Sequence, residues 1–173
     1  MKKNIFIFGS ILALLLSGNM IYMIYLMYTK ENLQTNDLLG YAAMVIVFSL
    51  TFFGIRNYRN KELNGYITFG KAFKTGALIA LLGSTFYVIV WLFVYYLFVP
   101  DFIDQYSTCV MNQCMSNGST PDEIEAKREQ ITQLATMYEN PAFVVLITYS
   151  EVLPVGLVVA LIGSLILKKK VKS

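Results

Sequence analysis

Three features of the sequence predict an all-α membrane protein with four transmembrane helices and an extracytoplasmic helical hairpin between helices three and four. Four apolar runs, Ile5–Tyr28, Leu38–Ile55, Thr75–Pro100 and Pro141–Leu167, are each near or beyond the roughly 20 residues that cross a hydrocarbon core. Basic residues are dense and sparse in alternate connections, as they are when a chain threads back and forth across a bilayer. The stretch 101–140 is polar yet periodic, with the start and stop signals of short helices. With 56% hydrophobic and 14% charged residues, the 173-residue chain is too apolar for a water-soluble domain, where the charged share is about 25%. It reads as one membrane domain.

The first run follows Lys2 and Lys3. Its opening part, Ile5–Leu16, could pass for the apolar part of a secretory signal, but no small-x-small cleavage site follows and the stretch continues to Tyr28. An uncleaved span is expected. The short polar loop Thr29–Asp37 makes spans one and two an antiparallel pair. In the second loop, Arg56–Lys74, the pair Asn64-Gly65 signals a turn because both residues accept positive φ. Ile67, Phe69, Ala72 and Phe73 then stand among Lys71 and Lys74, as in a segment lying at the headgroup level before span three. A loop rich in stop-transfer charges fits the same residues.

The third loop, Asp101–Asn140, is the only one large enough to fold outside the membrane. Ser119-Thr120-Pro121-Asp122-Glu123 combines a cap, a first-turn proline and a third-position acid, which together start a helix. Ile124, Ile131, Leu134 and Tyr138 mark its apolar face as far as Asn140-Pro141, where it should stop. Upstream, Phe102, Ile103, Tyr106, Val110 and Met111 mark a similar face, with Asn117-Gly118 as the break. Cys109 and Cys114 point about 140° apart on such a helix, a poor geometry for a disulfide, so free thiols are expected.

Counting Lys and Arg outside the spans gives eleven on the side of the N-terminus, second loop and tail. The other side has three, Lys30, Lys127 and Arg128, among nine acids. The positive-inside rule then places both termini in the cytoplasm, and the location expected is the inner membrane of a bacterium. The net charge of +3 conceals this separation. Juxtamembrane lysines and arginines attract anionic headgroups, so the partner expected is the lipid bilayer and not nucleic acid. Tyr22, Tyr25, Tyr28, Trp91, Tyr95 and Tyr96 fall toward the outer interface, as an aromatic belt does.

Glu151 is the one ionisable acid or base inside the runs, and such a residue normally faces a partner or a water-filled cavity. At 1.5 Å per residue it lies about 4.5 Å outward of the midpoint of span four, and Asn19 about 4 Å outward in span one. Tyr87, near the middle of span three, is the next candidate partner. The arrangement expected is a hydrogen bond from Glu151 to Asn19 or Tyr87 inside the bundle. A proton or cation relay is the functional alternative, although relays need several ionisable residues in series. A shifted helix leaving Glu151 wetter is the third. Pro154 removes the backbone bond to Ser150, and Gly156 adds pliancy, so span four should kink there as a gate or as a bend that fits the helices together.

Gly76, Ala80 and Ser84 recur every four residues on span three, as do Gly156, Ala160 and Ser164 on span four. Such stripes let helix backbones approach closely, either between spans three and four or across a dimer. Two cysteines and no histidine make a zinc site unexpected. No nucleophile with a base, phosphate loop or paired carboxylates is present, so neither an enzyme nor a cofactor is expected. The reading preferred on the sequence is a non-enzymatic membrane component acting through helix–helix or protein–protein contacts, with a membrane-protein partner or as a homo-oligomer. The competing one is a small proton- or ion-coupled carrier using Glu151 and the Pro154 kink.

Several stretches taken together, 2–4, 54–59, 65–76, 100–102 and 151–156 before a lysine tail, carry a resemblance over almost the whole length. They read Lys-Lys-Asn, Gly-Ile-Arg-Asn-Tyr-Arg, Gly-Tyr-Ile-Thr-Phe-Gly-Lys-Ala-Phe-Lys-Thr-Gly, Pro-Asp-Phe and Glu-Val-Leu-Pro-Val-Gly. The chain resembles a bacterial integral-membrane family, domain of unknown function 4199. The resemblance implies a small four-span helical protein and brings no activity, ligand or catalytic residue with it. The two cysteines lie outside its pattern.

Overall fold

The computed structural model describes residues 1–29 and 37–169. Seven helices follow in order: α1 (Lys2–Thr29), α2 (Asp37–Phe48), α3 (Leu50–Glu62), α4 (Phe69–Leu97), α5 (Phe102–Ser116), α6 (Pro121–Tyr138) and α7 (Pro141–Leu167). Four helical stretches, Lys2–Thr29, Gly40–Glu62, Phe69–Leu97 and Pro141–Leu167, are long and apolar enough to cross a membrane. The charges assigned to Lys30, Glu31, Lys170 and Lys172 lie outside the described residues.

Two spans depart from their expected ends. Arg56, Arg59 and Lys61 do not stop the second helix, which runs on to Glu62, and the third begins at Phe69, well before Thr75. Lys and Arg have good helix propensity and long stems, so they extend a helix out of the apolar zone without breaking it. The second span is instead interrupted at Ser49, between α2 and α3. The Ser49 hydroxyl donates to the Ile46 carbonyl at 2.6 Å and Thr51 to that of Phe48 at 2.8 Å, local bonds that compete with the backbone ladder.

Small residues decide how the long helices meet. α4 lies between α1 and α7. A Cβ placed on Gly76 would come 2.9 Å from the Ala160 Cβ, and one on Gly156 would come 2.9 Å from that of Ala80 and run into the Phe48 ring. The two predicted stripes are therefore one antiparallel contact, α4 against α7, with fully buried Ser84 and Ser164 continuing it. Three residues on from Ala80, Gly83 receives Leu12 of α1, and the adjacent Leu82 fits against Gly9. Leu12, Leu16, Phe48, Ala80 and Val152 close the central core. The stripes are thus consumed inside the bundle, and the dimer alternative loses that surface.

Polar contacts fasten each end. At one end the Asn4 amide donates to the Gly54 carbonyl at 2.8 Å, and Asn57 donates to Asn4 Oδ1 at 2.6 Å. Arg59 donates to the Leu167 carbonyl at 3.2 Å, a cation on the negative end of α7. Ile67 and Lys169 exchange backbone bonds of 3.0 and 2.9 Å across an antiparallel bridge, so the segment after the Asn64-Gly65 turn pairs with the residues just past α7. The turn has the expected geometry, with φ of 50° and 86°. At the other end, Asp101 accepts from the Tyr28 hydroxyl at 2.8 Å and from the Gln105 amide at 3.2 Å, and these bonds hold the Asp101 carboxyl below the usual carboxylate range.

The hairpin is α5 and α6, broken at Asn117-Gly118 with Gly118 at φ 70°. Thr120 and Glu123 form a reciprocal capping box with Pro121 in the first turn, and Asn140 caps α7 by accepting from the Ala142 N–H at 2.9 Å. The expected belt is only partly a belt: Tyr22, Tyr25, Tyr28 and Tyr96 are exposed, but Trp91 is turned inward against Phe102 and Tyr95. An edge-to-face partner and a covering hairpin give that indole more buried area than an interface would. Cys109 is buried and Cys114 half-buried, both as free thiols. Burial pushes the Cys109 thiol up.

Two outcomes follow from this packing. Gly156→Ala lowers the thermal midpoint in detergent by the equivalent of about 1–3 kcal/mol, the usual cost of overpacking, whereas Gly163→Ala, whose new methyl would meet its nearest atom at 3.6 Å, leaves it unchanged. In iodoacetamide labelling Cys114 reacts first. Because burial disfavours the thiolate, Cys109 reacts more slowly and its rate is still rising at pH values where an ordinary thiol has levelled off.

Candidate functional site

Six helices surround a cavity of about 330 Å³ beside Glu151. Its position follows from the packing just described. α4 packs closely on both α1 and α7, while α2 leans mainly on α7 and less on α1, and bulky side chains line the gap between them. α7 contributes Glu151 and Thr148, one turn apart on the same face; α1 contributes Asn19; α4 contributes Tyr87 and Trp91. The hairpin roofs this space with Phe102 and Tyr106 from α5 and Leu134 and Tyr138 from α6, while Gly40 and Met44 close it from α2.

The three residues singled out by depth in the bilayer, Glu151, Asn19 and Tyr87, all face this one cavity. They converge without bonding: among the described residues Glu151 has neither a hydrogen bond nor an ion pair. The expected direct hydrogen bond from Glu151 to Asn19 or Tyr87 is absent, and the three side chains border the same open volume. Glu151 accordingly keeps an exposed side chain in a helix whose neighbouring residue, Val152, is buried.

Thr148 is satisfied within its own helix, donating to the Val144 carbonyl at 2.7 Å. One turn away from the cavity, Tyr149 donates to Thr85 at 2.8 Å and ties α7 to α4 through a side-chain bond. Pro154 lies just beyond Glu151 and α7 continues through it unbroken. Gly156, on the far side of the helix from Glu151, packs on Ala80, so α7 serves two neighbours with two faces. Burial pushes the Tyr138 phenol up, which keeps its O–H protonated and able to donate across the physiological range.

Two parts of the wall were not foreseen. Met20, Met23, Met27 and Met44 line it, four of the eight methionines in the chain. Their spacing on α1 is that of one helix face, a signal available in the sequence but indistinguishable there from ordinary span composition. Flexible thioethers make a wall that adapts to its contents. The second is the aromatic roof, whose members come from α4, α5 and α6 and meet only when the hairpin folds back over Trp91. Ring centroids of Trp91 and Phe102 lie 4.8 Å apart, and those of Tyr95 and Tyr138 5.3 Å apart. Among the described residues no group of three or more His, Cys, Asp or Glu comes together.

A family profile described as "Protein of unknown function (DUF4199)" matches residues 7–169, and the chain belongs to that family. No curated protein and no solved structure matches it.

If Glu151 bordered the cavity as a structural pin, its removal would cost stability. Since it holds no neighbour in place, Glu151→Leu is expected to leave the thermal midpoint in detergent unchanged or to raise it, because an apolar replacement removes the cost of a lone acid among helices.

Proposed function

We propose that this DUF4199 protein is a non-enzymatic, ligand-holding protein of the bacterial cytoplasmic membrane, and that the cavity at Glu151 is its working part. The observation that carries this reading is the convergence of one carboxyl, one amide and three phenols on a single cavity at the level of the spans. Cavities of about 300 Å³ and upward, mostly apolar with a few polar groups, are the usual form of small-molecule sites. The wall offers groups that bind and orient, and among the described residues it offers no nucleophile paired with a base. Pro154 places a missing backbone bond one turn past Glu151, where α7 can flex to admit or release what the cavity holds. Carriage across the membrane is the natural use of such an arrangement.

Both termini are assigned to the cytoplasm on the lysine and arginine count, with the α5–α6 hairpin on the opposite face. The geometry supports this by grouping the first turn of α1, the α3–α4 connection and the end of α7 at one end of the bundle. A second reading, a component acting through contacts with another membrane protein or a second copy, draws on a different place. A groove between α1 and α4 is lined by Ser10, Leu14, Gly18 and Phe86, and the buried Ser17 hydroxyl beside it has no partner among the described residues.

Reporter fusions after Leu167 are expected to read as cytoplasmic and insertions near Thr120 as external. For the cavity, Gly40→Leu is the informative variant, because Gly40 lines it and a Cβ there meets nothing within 4 Å, so the added side chain is accommodated without displacing a neighbour. In nanodiscs, a panel of cationic, neutral and anionic aromatic amphiphiles is titrated while the fluorescence of Trp91, the sole tryptophan, is followed. At least one member should bind saturably to the unmodified protein and fail with Gly40→Leu. Absence of saturable binding across the panel ends the reading.

A further inference from the structure

We propose, building on the cavity reading above, that the ligand is an organic ammonium ion of fragment size with an apolar body, held by the Glu151 carboxylate and an aromatic wall. Five aromatic side chains, Tyr87, Trp91, Phe102, Tyr106 and Tyr138, line the space that Glu151 borders. Aromatic faces attract cations through their quadrupole, and quaternary or alkylated ammonium groups are recognised by such walls when a carboxylate supplies the counter-charge. Among the described residues no lysine or arginine lines the cavity. An anion would therefore meet a carboxyl group and the negative faces of the rings with nothing to neutralise it.

The other occupants fit less well. A neutral hydrocarbon would bury Glu151 against apolar surface and leave it without a partner, a costly arrangement for any polar group. A metal ion needs several oxygen ligands at about 2.0–2.6 Å, and among the described residues this wall has one carboxyl in a volume of about 330 Å³. A bare proton pathway would not call for a space of that size or for five rings. An alkylammonium places its charge at Glu151, where the low dielectric of the surrounding spans strengthens the pair, and its apolar body against the methionine side of the wall. Asn19 and the Tyr138 hydroxyl remain to accept or donate a hydrogen bond to a polar substituent.

The test compares benzyltrimethylammonium with neopentylbenzene, its uncharged carbon isostere, and with benzylsulfonate, an anion on a similar ring. Each is titrated into the full-length protein in nanodiscs and read by Trp91 fluorescence, with thermal midpoint as the second readout. Saturable binding of benzyltrimethylammonium is expected, weakened about ten-fold or more in Glu151→Gln and several-fold in Trp91→Leu, the latter read by midpoint alone. The isostere should bind at least about ten-fold more weakly and be indifferent to Glu151→Gln. Midpoints of the unliganded variants close to that of the unmodified protein show that they fold. Equal binding of the isostere, or unchanged affinity for the ammonium in Glu151→Gln, overturns the cation assignment and leaves the cavity reading standing. Saturable binding of the sulfonate in preference to both overturns it as well. Failure of all three probes, together with the wider panel, removes the cavity reading itself.

Discussion

The distance at which α4 can pass its neighbours governs the rest of the molecule. In a lipid-like setting helices gain little from hiding apolar surface from one another, so association depends on close van der Waals fit and a few polar bonds. α4 meets that demand twice, presenting Gly76 and Ala80 to α7 and Gly83 to α1. The side chains of Leu12 and Phe48 fill the spaces that glycine leaves, and both are fully buried. Because α4 is drawn tight on both flanks at mid-height, the helices can part only nearer the hairpin, and it is there that the cavity lies.

Much of this was legible in the residues. The four spans, the capped start of α6 at Thr120, the break at Gly118 and the turn at Asn64-Gly65 follow from local chemistry, which acts within a few residues and is therefore visible in a single chain. The pairing of the two small-residue stripes was legible as one of two alternatives. What decided between them was long-range: only the fold brings Ala160 to Gly76. The interruption at Ser49 was missed because a hydroxyl bonding its own helix leaves no mark in hydropathy.

The candidate site divides in the same way. Depth arithmetic brought Glu151, Asn19 and Tyr87 to one level, since rise per residue is a property of the helix alone. It did not give the separation between them, which depends on how far each helix stands from the next. Trp91 shows the limit most clearly. Its sequence position suits an interfacial belt, yet the folded hairpin supplies Phe102 as an edge-to-face neighbour and closes over it. The asparagine pair Asn4 and Asn57 escaped notice for a related reason: each lies near the end of an apolar run, where an amide is unremarkable until the other is beside it.

The α4–α7 contact also bears on how the chain is assembled during synthesis. The glycine face of α4 is translated and inserted before its complement on α7 exists, with the whole hairpin still to be made. Until α7 arrives, Phe48 lacks the groove at Gly156 that receives it, and the Arg59 guanidinium lacks the carbonyl of Leu167. Without α7 the earlier spans leave that face open, and both the closed bundle and the Ile67–Lys169 bridge require α7 in place.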